Sequence, residues 1–456
     1  EGFFGRFNYS FRDKYLVEFN GRYDATSKFI YNRWAFFPGV SAGYVISKEK
    51  FWDPVQKYIN NFKLRASYGK SGDQSNFGNY PFYPTLPNTR ASASTWYFGS
   101  STQAYVSQAG DVNPNITWAK PVMIDFGVDM GFLKNRLQIS ADVYRRTITD
   151  MLVASQPLPA VFGTGAPQTN AGEMHTDGFE ITATWNDRIG KDLKYSVRGV
   201  LSNYNGYIDE YPNPTKLLAN YYNGQKLGNI WGYTANNLYT AADTAGAGPA
   251  SFWTGIWTPG DVHYLDLDKS GRVDAGKNTA DSSGDMRIIG NNVPQYSYSL
   301  NLDAEYKGFD LTIFVQGVAK REVFMSSNYF WGIASGAQPF QNSVFTSTRD
   351  RWATENPGGY LPKFYLSAQN QKNLQTSSRY LQNAAYLRLK SVQLGYSLPA
   401  SLMRKINIQK LRLYVTAENL ATITKMWEGI DPELAIGDGK IYPLQRSFSF
   451  GLNLTL

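Results

Sequence analysis

Apolar and polar residues alternate along many stretches of the chain, and one stretch shows the pattern twice. From Tyr296 to Tyr306, alternate positions carry Tyr, Leu or Ala, and the positions between them carry Ser, Asn, Asp or Glu. After Lys307-Gly308 the alternation resumes as far as Gly317. Side chains on a strand point alternately to the two faces of a sheet, so the pattern predicts two strands joined by a tight turn. Each strand has one apolar and one polar face.

The same alternation predicts about thirteen strands of roughly the ten-residue length of a tilted membrane-spanning strand. The first lies near residues 3–11, and the last is the C-terminal stretch SFSFGLNLTL. In the stretch YLRLKSVQLGYSL the apolar positions change parity after Leu389. This change predicts a β-bulge, or a strand that rises above a bilayer.

Short turns between strands alternate with much longer segments. The long segments cover about 70–120, 151–176, 205–294, 319–382 and 419–445. Short turns at one end and long loops at the other are typical of outer-membrane barrels, whereas a soluble sandwich has no reason to separate them. We therefore predict an all-β fold, an antiparallel transmembrane β-barrel with short periplasmic turns and long extracellular loops. A chain that opens on a descending strand is expected to be preceded by at least one more strand.

Composition supports a membrane surface and excludes several kinds of site. Aromatic residues reach 15% and charged residues only 18%, against roughly 25% charged in soluble domains. Cysteine is absent and the two histidines, His175 and His263, are far apart, so thiolate and histidine-cluster chemistry is not predicted. The net charge of +8 is spread without a basic run. It indicates solvated rims and a lumen, with lipid phosphate as a second interpretation, and not nucleic-acid binding.

Several segments together resemble the SusC/RagA-like TonB-dependent transporters of Gram-negative outer membranes. They are FFGRFNYSFRDKYLVEFNGRYDATSKF, FKLRASYGKSGDQ, GDVHYLDLDKSGRVD, GDMRIIGNNVPQYSYSLNLDAEYKGFDLTIFVQG, RYLQNAAYLRLKSVQLGYSLP and LRLYVTAENLATITK. The resemblance implies a barrel of about 22 strands filled by an N-terminal plug. Residues 1–456 would then be the C-terminal portion of one barrel domain, without the plug, the TonB box and about nine strands.

The resemblance also implies a function. It is TonB-driven import of oligosaccharides or peptides, with a SusD-like surface lipoprotein as a lid and outer-membrane lipid and lipopolysaccharide around the barrel. Two such transporter–lipoprotein pairs are a candidate dimer. No enzyme and no required cofactor are predicted. The carboxylates form no convincing catalytic pair, and the glycine-rich GTGAP lacks the Lys-Ser/Thr of a phosphate loop. Two alternatives stay open: a porin or adhesin-type barrel independent of TonB, and a soluble β-rich glycan-binding protein.

The stretch DLDKSGRVD has oxygen ligands at the spacing of a calcium loop, with Gly271 at the sharp turn. Lys277 stands at the twelfth position and cannot coordinate, so Asp285 of the following GDMRIIG is the candidate closing carboxylate. A polar turn that hydrogen-bonds to itself is the alternative to a structural Ca²⁺. The candidate ligands are Asp266, Asp268, Ser270, the Arg272 carbonyl, Asp274 and Asp285.

Aromatic residues recur in the long segments. Such rings stack on sugars, contact a peptide or the lid, or pack inside the loops, and the sequence leaves these roles open. The candidate ligand or lid contacts are Trp231, Tyr233, Trp253, Trp257, Tyr329, Phe330 and Trp331.

Overall fold

Strands dominate the computed structural model, which describes residues 1–90, 96–156, 158–244, 250–251, 257–326, 328–331, 346–365, 372–427, 429–435 and 442–456. The strands are β1 Gly2–Phe11, β2 Tyr15–Ala25, β3 Trp34–Val45, β4 Ile59–Lys70, β5 Asn88–Thr89, β6 Tyr97–Phe98, β7 Ser101–Thr102, β8 Tyr105–Val106, β9 Lys120–Phe132, β10 Leu137–Ala154, β11 Gln168–Ile189, β12 Leu193–Glu210, β13 Asn229–Tyr233, β14 Ala235–Leu238, β15 Ala250–Ser251, β16 Val262–Tyr264, β17 Arg272–Val273, β18 Met286–Asn291, β19 Gln295–Tyr306, β20 Phe309–Lys320, β21 Glu322–Phe324, β22 Leu381–Asn383, β23 Tyr386–Ser397, β24 Lys410–Thr424 and β25 Ser447–Thr455.

Helices are few and short. The α-helices are α1 Ala241–Thr244, α2 Asn328–Trp331 and α3 Ala400–Met403, and 3-10 turns cover Ile46–Lys48, Lys50–Trp52, Ala160–Phe162, Thr346–Asp350 and Arg404–Ile406. Among the described residues, no helix has the length and apolar character needed to cross a membrane.

Among the described residues, thirteen strands form one antiparallel sheet, in the order β1-β2-β3-β4-β9-β10-β11-β12-β19-β20-β23-β24-β25. Neighbours in the sheet follow one another along the chain, as the hairpin pattern of the sequence requires. The predicted all-β fold of antiparallel strands is confirmed. The remaining strands form two-stranded ladders within the long connections.

The chain divides into two compact units. Unit 1 comprises Glu1–Phe179, Tyr204–Lys216 and Asn220–Lys226, and unit 2 comprises Glu180–Asn203, Leu217–Ala219 and Leu227–Leu456. The long connections between sheet strands are 71–119, 155–167, 211–294, 321–385 and 425–446, and the short turns are 12–14, 46–58, 133–136, 190–192, 307–308 and 398–409. The connection at 155–167 is shorter than the predicted segment 151–176, because β10 extends to Ala154 and β11 begins at Gln168.

The tight turn predicted after Tyr306 is present. Lys307 and Gly308 have φ values of 47° and 90°, as a two-residue type I′ hairpin turn requires. A side chain at Gly308 would place its Cβ 2.8 Å from the Ser397 carbonyl oxygen. Both the positive φ and the lack of space therefore favour glycine at this position.

The parity change in β23 is a bulge at Lys390. Phe314 of β20 lies opposite Ser391, whereas the next residue, Val315, lies opposite Leu389. Lys390 is therefore the extra residue, and the register with β24 shifts at the same place. The predicted bulge is confirmed.

The sheet has an apolar face that is open to its surroundings. In unit 1, Phe7 pairs with Phe19 and Tyr9 with Val17, while the pair between them, Asn8 and Glu18, is polar. In unit 2, Val415 pairs with Phe450 on the same pattern. Phe450 is 84% exposed, and large exposed apolar side chains recur on β1, β2 and β9. Exposed apolar surface on this scale marks a membrane-facing side.

Candidate functional site: the packed long connections

The long connections of unit 2 fold into a body with its own hydrophobic core, which we call the loop core. It is organised by short ladders that include β13–β18, β14–β16 and β21–β22. Its buried members come from all three long connections of the unit: Tyr233, Leu238, Val262, Tyr264, Val273, Val323, Met325, Phe330, Trp331, Leu361, Tyr380, Ala384, Met426, Ile430 and Ala435. The loops of unit 2 are therefore a packed platform.

A buried ion pair joins two of these connections. Lys372 Nζ lies 2.6 Å from Asp261 Oδ2, and the two side chains are 2% and 0% exposed. Asp261 also accepts hydrogen bonds from the Tyr365 hydroxyl at 2.8 Å, the Asn373 amide at 2.9 Å and the Thr258 backbone N–H at 2.8 Å. A buried carboxylate with this many donors is fully satisfied, so the pair fixes one arrangement of the two connections.

Two arginines hold the connection 425–446 in place. Arg388, on β23, is 2% exposed and donates to Asp431 and Glu433, each at 2.6 Å. Arg321 donates to the backbone carbonyls of Pro432 at 3.2 Å and Ala435 at 3.0 Å. Desolvation lowers the pKa of Arg321 from its usual value, and the guanidinium stays charged because that value is very high.

The structure places most of the predicted contact aromatics inside this body. Tyr233, Phe330 and Trp331 are 2–3% exposed members of the loop core, and Trp257 packs against it. Trp231 lies on β13, and its indole Nε1 is buried without a partner among the described residues. Of the roles that the sequence left open, these rings take the last one, packing inside the loops. Trp253 and the side chain of Tyr329 lie outside what the structure describes.

The buried tyrosines of these connections are packing groups, not acids. Desolvation raises the pKa of Tyr239 to about 12 and that of Tyr380 above its usual value. The Tyr239 ring stacks on His263 at 4.3 Å and lies 5.4 Å from Trp257. These groups stay protonated at neutral pH and provide no general base.

Three of the predicted calcium ligands converge. Carboxylate oxygens of Asp266, Asp268 and Asp285 lie within 4.8 Å of one another, and Asp285 is fully buried. Gly271 has a φ of 80°, as a sharp turn requires. A hard cation prefers such oxygen donors, so these three side chains are the part of the loop that could hold Ca²⁺.

The other predicted ligands are engaged within the loop. Asp274 accepts a hydrogen bond from the Gly276 N–H at 2.7 Å and stands outside the carboxylate group. The Ser270 hydroxyl donates to the Arg272 carbonyl at 2.9 Å. Backbone N–H groups also donate to Asp285, from Leu267 at 2.6 Å and from Asp274 at 2.8 Å. The arrangement is compatible with a cation and also with a self-bonded turn.

An exposed aromatic hairpin in unit 1 was not among the predicted contact residues. Strands β6 and β7 pair around Gly99, and Trp96, Tyr97 and Phe98 are 64%, 68% and 76% exposed. Three consecutive aromatics before Gly-Ser were the available signal, because a strand cannot turn all three to one buried face. These rings, and not those of the loop core, are presented to solvent.

The polar face of the sheet carries its own ion pairs. In unit 1, Arg65 on β4 lies 2.9 Å from Asp129 and 2.8 Å from Asp142. Gly127 lies between them, and a Cβ there would come 2.2 Å from an Asp142 oxygen. Glycine therefore leaves room for a cross-strand pair that spans β9.

Comparison with known proteins agrees with this architecture. Residues 1–319 match the family model described as TonB dependent receptor-like, beta-barrel. TonB-dependent receptor P3 of Formosa agariphila is 30% identical over 99% of this chain and 45% of its own length. TonB-dependent receptor SusC of Bacteroides thetaiotaomicron is 28% identical over 99% of this chain and 43% of its own length.

Solved structures are similar over the whole chain. The RagAB peptide importer in its closed-closed state aligns with a TM-score of 0.77 at 25% identity, covering 100% of this chain and 47% of that one. The chain thus spans about half the length of the relatives it matches. The matching family is one of receptors and transporters, not of enzymes. Since its model covers well over half of the residues, the chain belongs to the TonB-dependent receptor-like β-barrel family of the outer membrane.

Proposed function

We propose that the protein imports oligosaccharides or peptides across the outer membrane, driven through TonB and assisted by a SusD-like surface lipoprotein. This chain would form part of the barrel wall and the extracellular loops. The observation that carries the proposal is the loop core, because loops built only to connect strands do not need buried ion pairs. A rigid platform suits a lid that opens and closes on it.

Two further findings support this proposal. The RagAB structures, described as a peptide importer, are similar along the entire chain. The exposed hairpin at Trp96–Phe98 offers rings of the type that dominate protein and ligand contacts. A predicted structural Ca²⁺ at Asp266, Asp268 and Asp285 would stiffen the platform and would take no part in transport chemistry.

The first experiment is native mass spectrometry of the full-length protein. It would be tagged in its own bacterium, extracted in mild detergent, and dissociated into subunits. We expect a subunit of roughly twice 51.2 kDa together with a surface lipoprotein. A lone 51.2 kDa subunit without a lipoprotein would overturn the proposal.

Uptake identifies the cargo class. Cells that lack the gene are compared with the parent strain on oligosaccharides, on peptides and on a monosaccharide small enough for porins. We expect loss of growth on one of the two large substrates only, reproduced when TonB is deleted. Equal growth on all three substrates would contradict an import role.

A further inference from the structure

The positive charge of the chain is concentrated in its short turns. The six short turns hold eleven Lys and Arg against four Asp and Glu, whereas the whole chain holds 45 against 37. The three turns of unit 1, at 12–14, 46–58 and 133–136, account for seven of these cations and three of the anions. The short-turn end of unit 1 is therefore strongly basic.

These three turns form one continuous surface. Val45 donates from its N–H to the Lys14 carbonyl at 2.8 Å, which joins the first turn to the second. Leu133 donates to the Tyr58 carbonyl at 3.1 Å, which joins the second turn to the third. Backbone hydrogen bonds thus connect the three turns in series.

Most of the turn cations are not neutralised by nearby carboxylates. Two of them pair within the turns, at 2.9 and 3.6 Å. The Arg12 guanidinium lies 5.1 Å from the centre of the Phe11 ring, at the border of the apolar face. Four cations make no ion pair within the described part of the chain: Arg12, Lys50, Lys57 and Lys134.

A groove in the apolar face begins beside the first of these turns. The strand registers place Val17, Ala42, Ala66 and Phe126 in one row across four strands. The two alanines form a low floor between bulkier neighbours, and the groove of about 470 Å³ is bordered by Tyr15, Tyr44 and Leu64 on the turn side. Its volume falls within the range of small-molecule sites, about 300–1,000 Å³. Along β2, two residues of strand, about 7 Å, separate this row from Tyr15, which directly follows the first turn.

From these observations we infer that unit 1 carries a site for an anionic glycerophospholipid. The phosphate lies on the unpaired turn cations, and one acyl chain lies on the floor formed by Ala42 and Ala66. A basic rim continuous with an apolar groove matches both halves of such a lipid. Cations held near an anionic lipid surface each strengthen binding by about fivefold. The inference rests on membrane insertion and not on the cargo or the lid.

The test is a lipid titration of the full-length protein in detergent, followed by native mass spectrometry. The probes are phosphatidylglycerol and phosphatidylcholine with the same palmitoyl and oleoyl chains. We expect the wild type to bind the first phosphatidylglycerol at least tenfold more tightly. Equal binding of the two lipids would overturn the site, and this comparison needs no variant. Displacement of phosphatidylglycerol by equimolar lipid A from the same turns would overturn the assignment to a glycerophospholipid.

Matched variants separate a site from diffuse attraction. Changing Arg12, Lys50, Lys57 and Lys134 to Gln should weaken phosphatidylglycerol binding at least tenfold. The control, with the same change of charge, alters four cations in the short turns of unit 2: Lys191, Lys307, Arg404 and Lys405. It should stay within about twofold of the wild type, and an equal loss in both sets would refute the site. Folding of each variant is checked by heat-modifiable migration on a gel.

The groove is tested in the same way. Filling its floor with Ala42→Leu and Ala66→Leu should weaken phosphatidylglycerol binding at least fivefold. The control places Leu at Ala141 and Ala417, which share the apolar parity of their strands but do not line the groove. If the filled groove binds as well as the control, the acyl chain does not lie there.

Discussion

The buried pair of Asp261 and Lys372 provides a sharp test of the loop core. Replacing Asp261 with Leu keeps the branched shape of the side chain and leaves the Lys372 ammonium, 2% exposed, without its carboxylate. Removing one partner of a buried pair costs about 3–5 kcal/mol. Two aromatic rings near Lys372, with Tyr365 at 4.5 Å, offset only a small part of this cost.

Hydrogen exchange of the full-length protein in detergent measures the effect. In peptides covering β16 and residues 372–378, a loss of about 3–5 kcal/mol speeds exchange by roughly a hundredfold to several thousandfold. A double variant, Asp261→Leu with Lys372→Met, removes both charges and should recover at least half of the lost protection, because a buried apolar pair often replaces an ionic one without loss.

The control is a surface pair in the same unit. Lys194 and Glu305 lie 3.5 Å apart at 52% and 67% exposure, and Glu305→Leu should change protection by less than about 1 kcal/mol. If Asp261→Leu has an effect as small as this control, the loop core is not held together by its ion pair and the reasoning fails.

Three further outcomes are expected. Adding Ca²⁺ to the full-length protein should slow exchange across residues 265–286, an effect abolished by Asp285→Asn and only reduced by Asp274→Asn; no calcium effect in the wild type would favour the self-bonded turn. Replacing Trp96–Phe98 with serines should at least halve the lipoprotein recovered with the protein at unchanged barrel yield, and full recovery would remove the hairpin from the contact. Gly127→Ala should destabilise the wall by about 1–3 kcal/mol through overpacking, measured by the urea midpoint, whereas Gly69→Ala, which has open space around its Cβ, should not.

The sheet was predictable because its information is local. The alternation around Lys307-Gly308 determines a hairpin without reference to distant residues, and the parity change after Leu389 marks a bulge within a single strand. Neither prediction needed any knowledge of the neighbouring strands. Where structure follows from a period of two, a single sequence is sufficient.

The candidate site was less predictable because its information is distant. Asp261 and Asn373 are 112 residues apart and show no periodicity that links them. The calcium spacing named Asp274, whose carboxylate accepts a hydrogen bond from the Gly276 N–H instead. Likewise, the Lys and Arg residues look evenly spread along the sequence until the bounds of the short turns are known. Only then does most of the net charge fall at one end of the strands.

The hydrogen bonds between distant residues of the loop core affect the order of folding. The Arg321 guanidinium reaches the Ala435 carbonyl, 114 residues away, and this contact bridges the connections that follow β20 and β24. Contacts of such sequence separation form slowly because the loop-closure entropy must be overcome first. We therefore expect strand insertion to precede loop packing during biogenesis. During that interval the loops are open to proteases. A pulse of protease early in refolding should therefore cleave the loops, whereas the same pulse late in refolding should leave them intact.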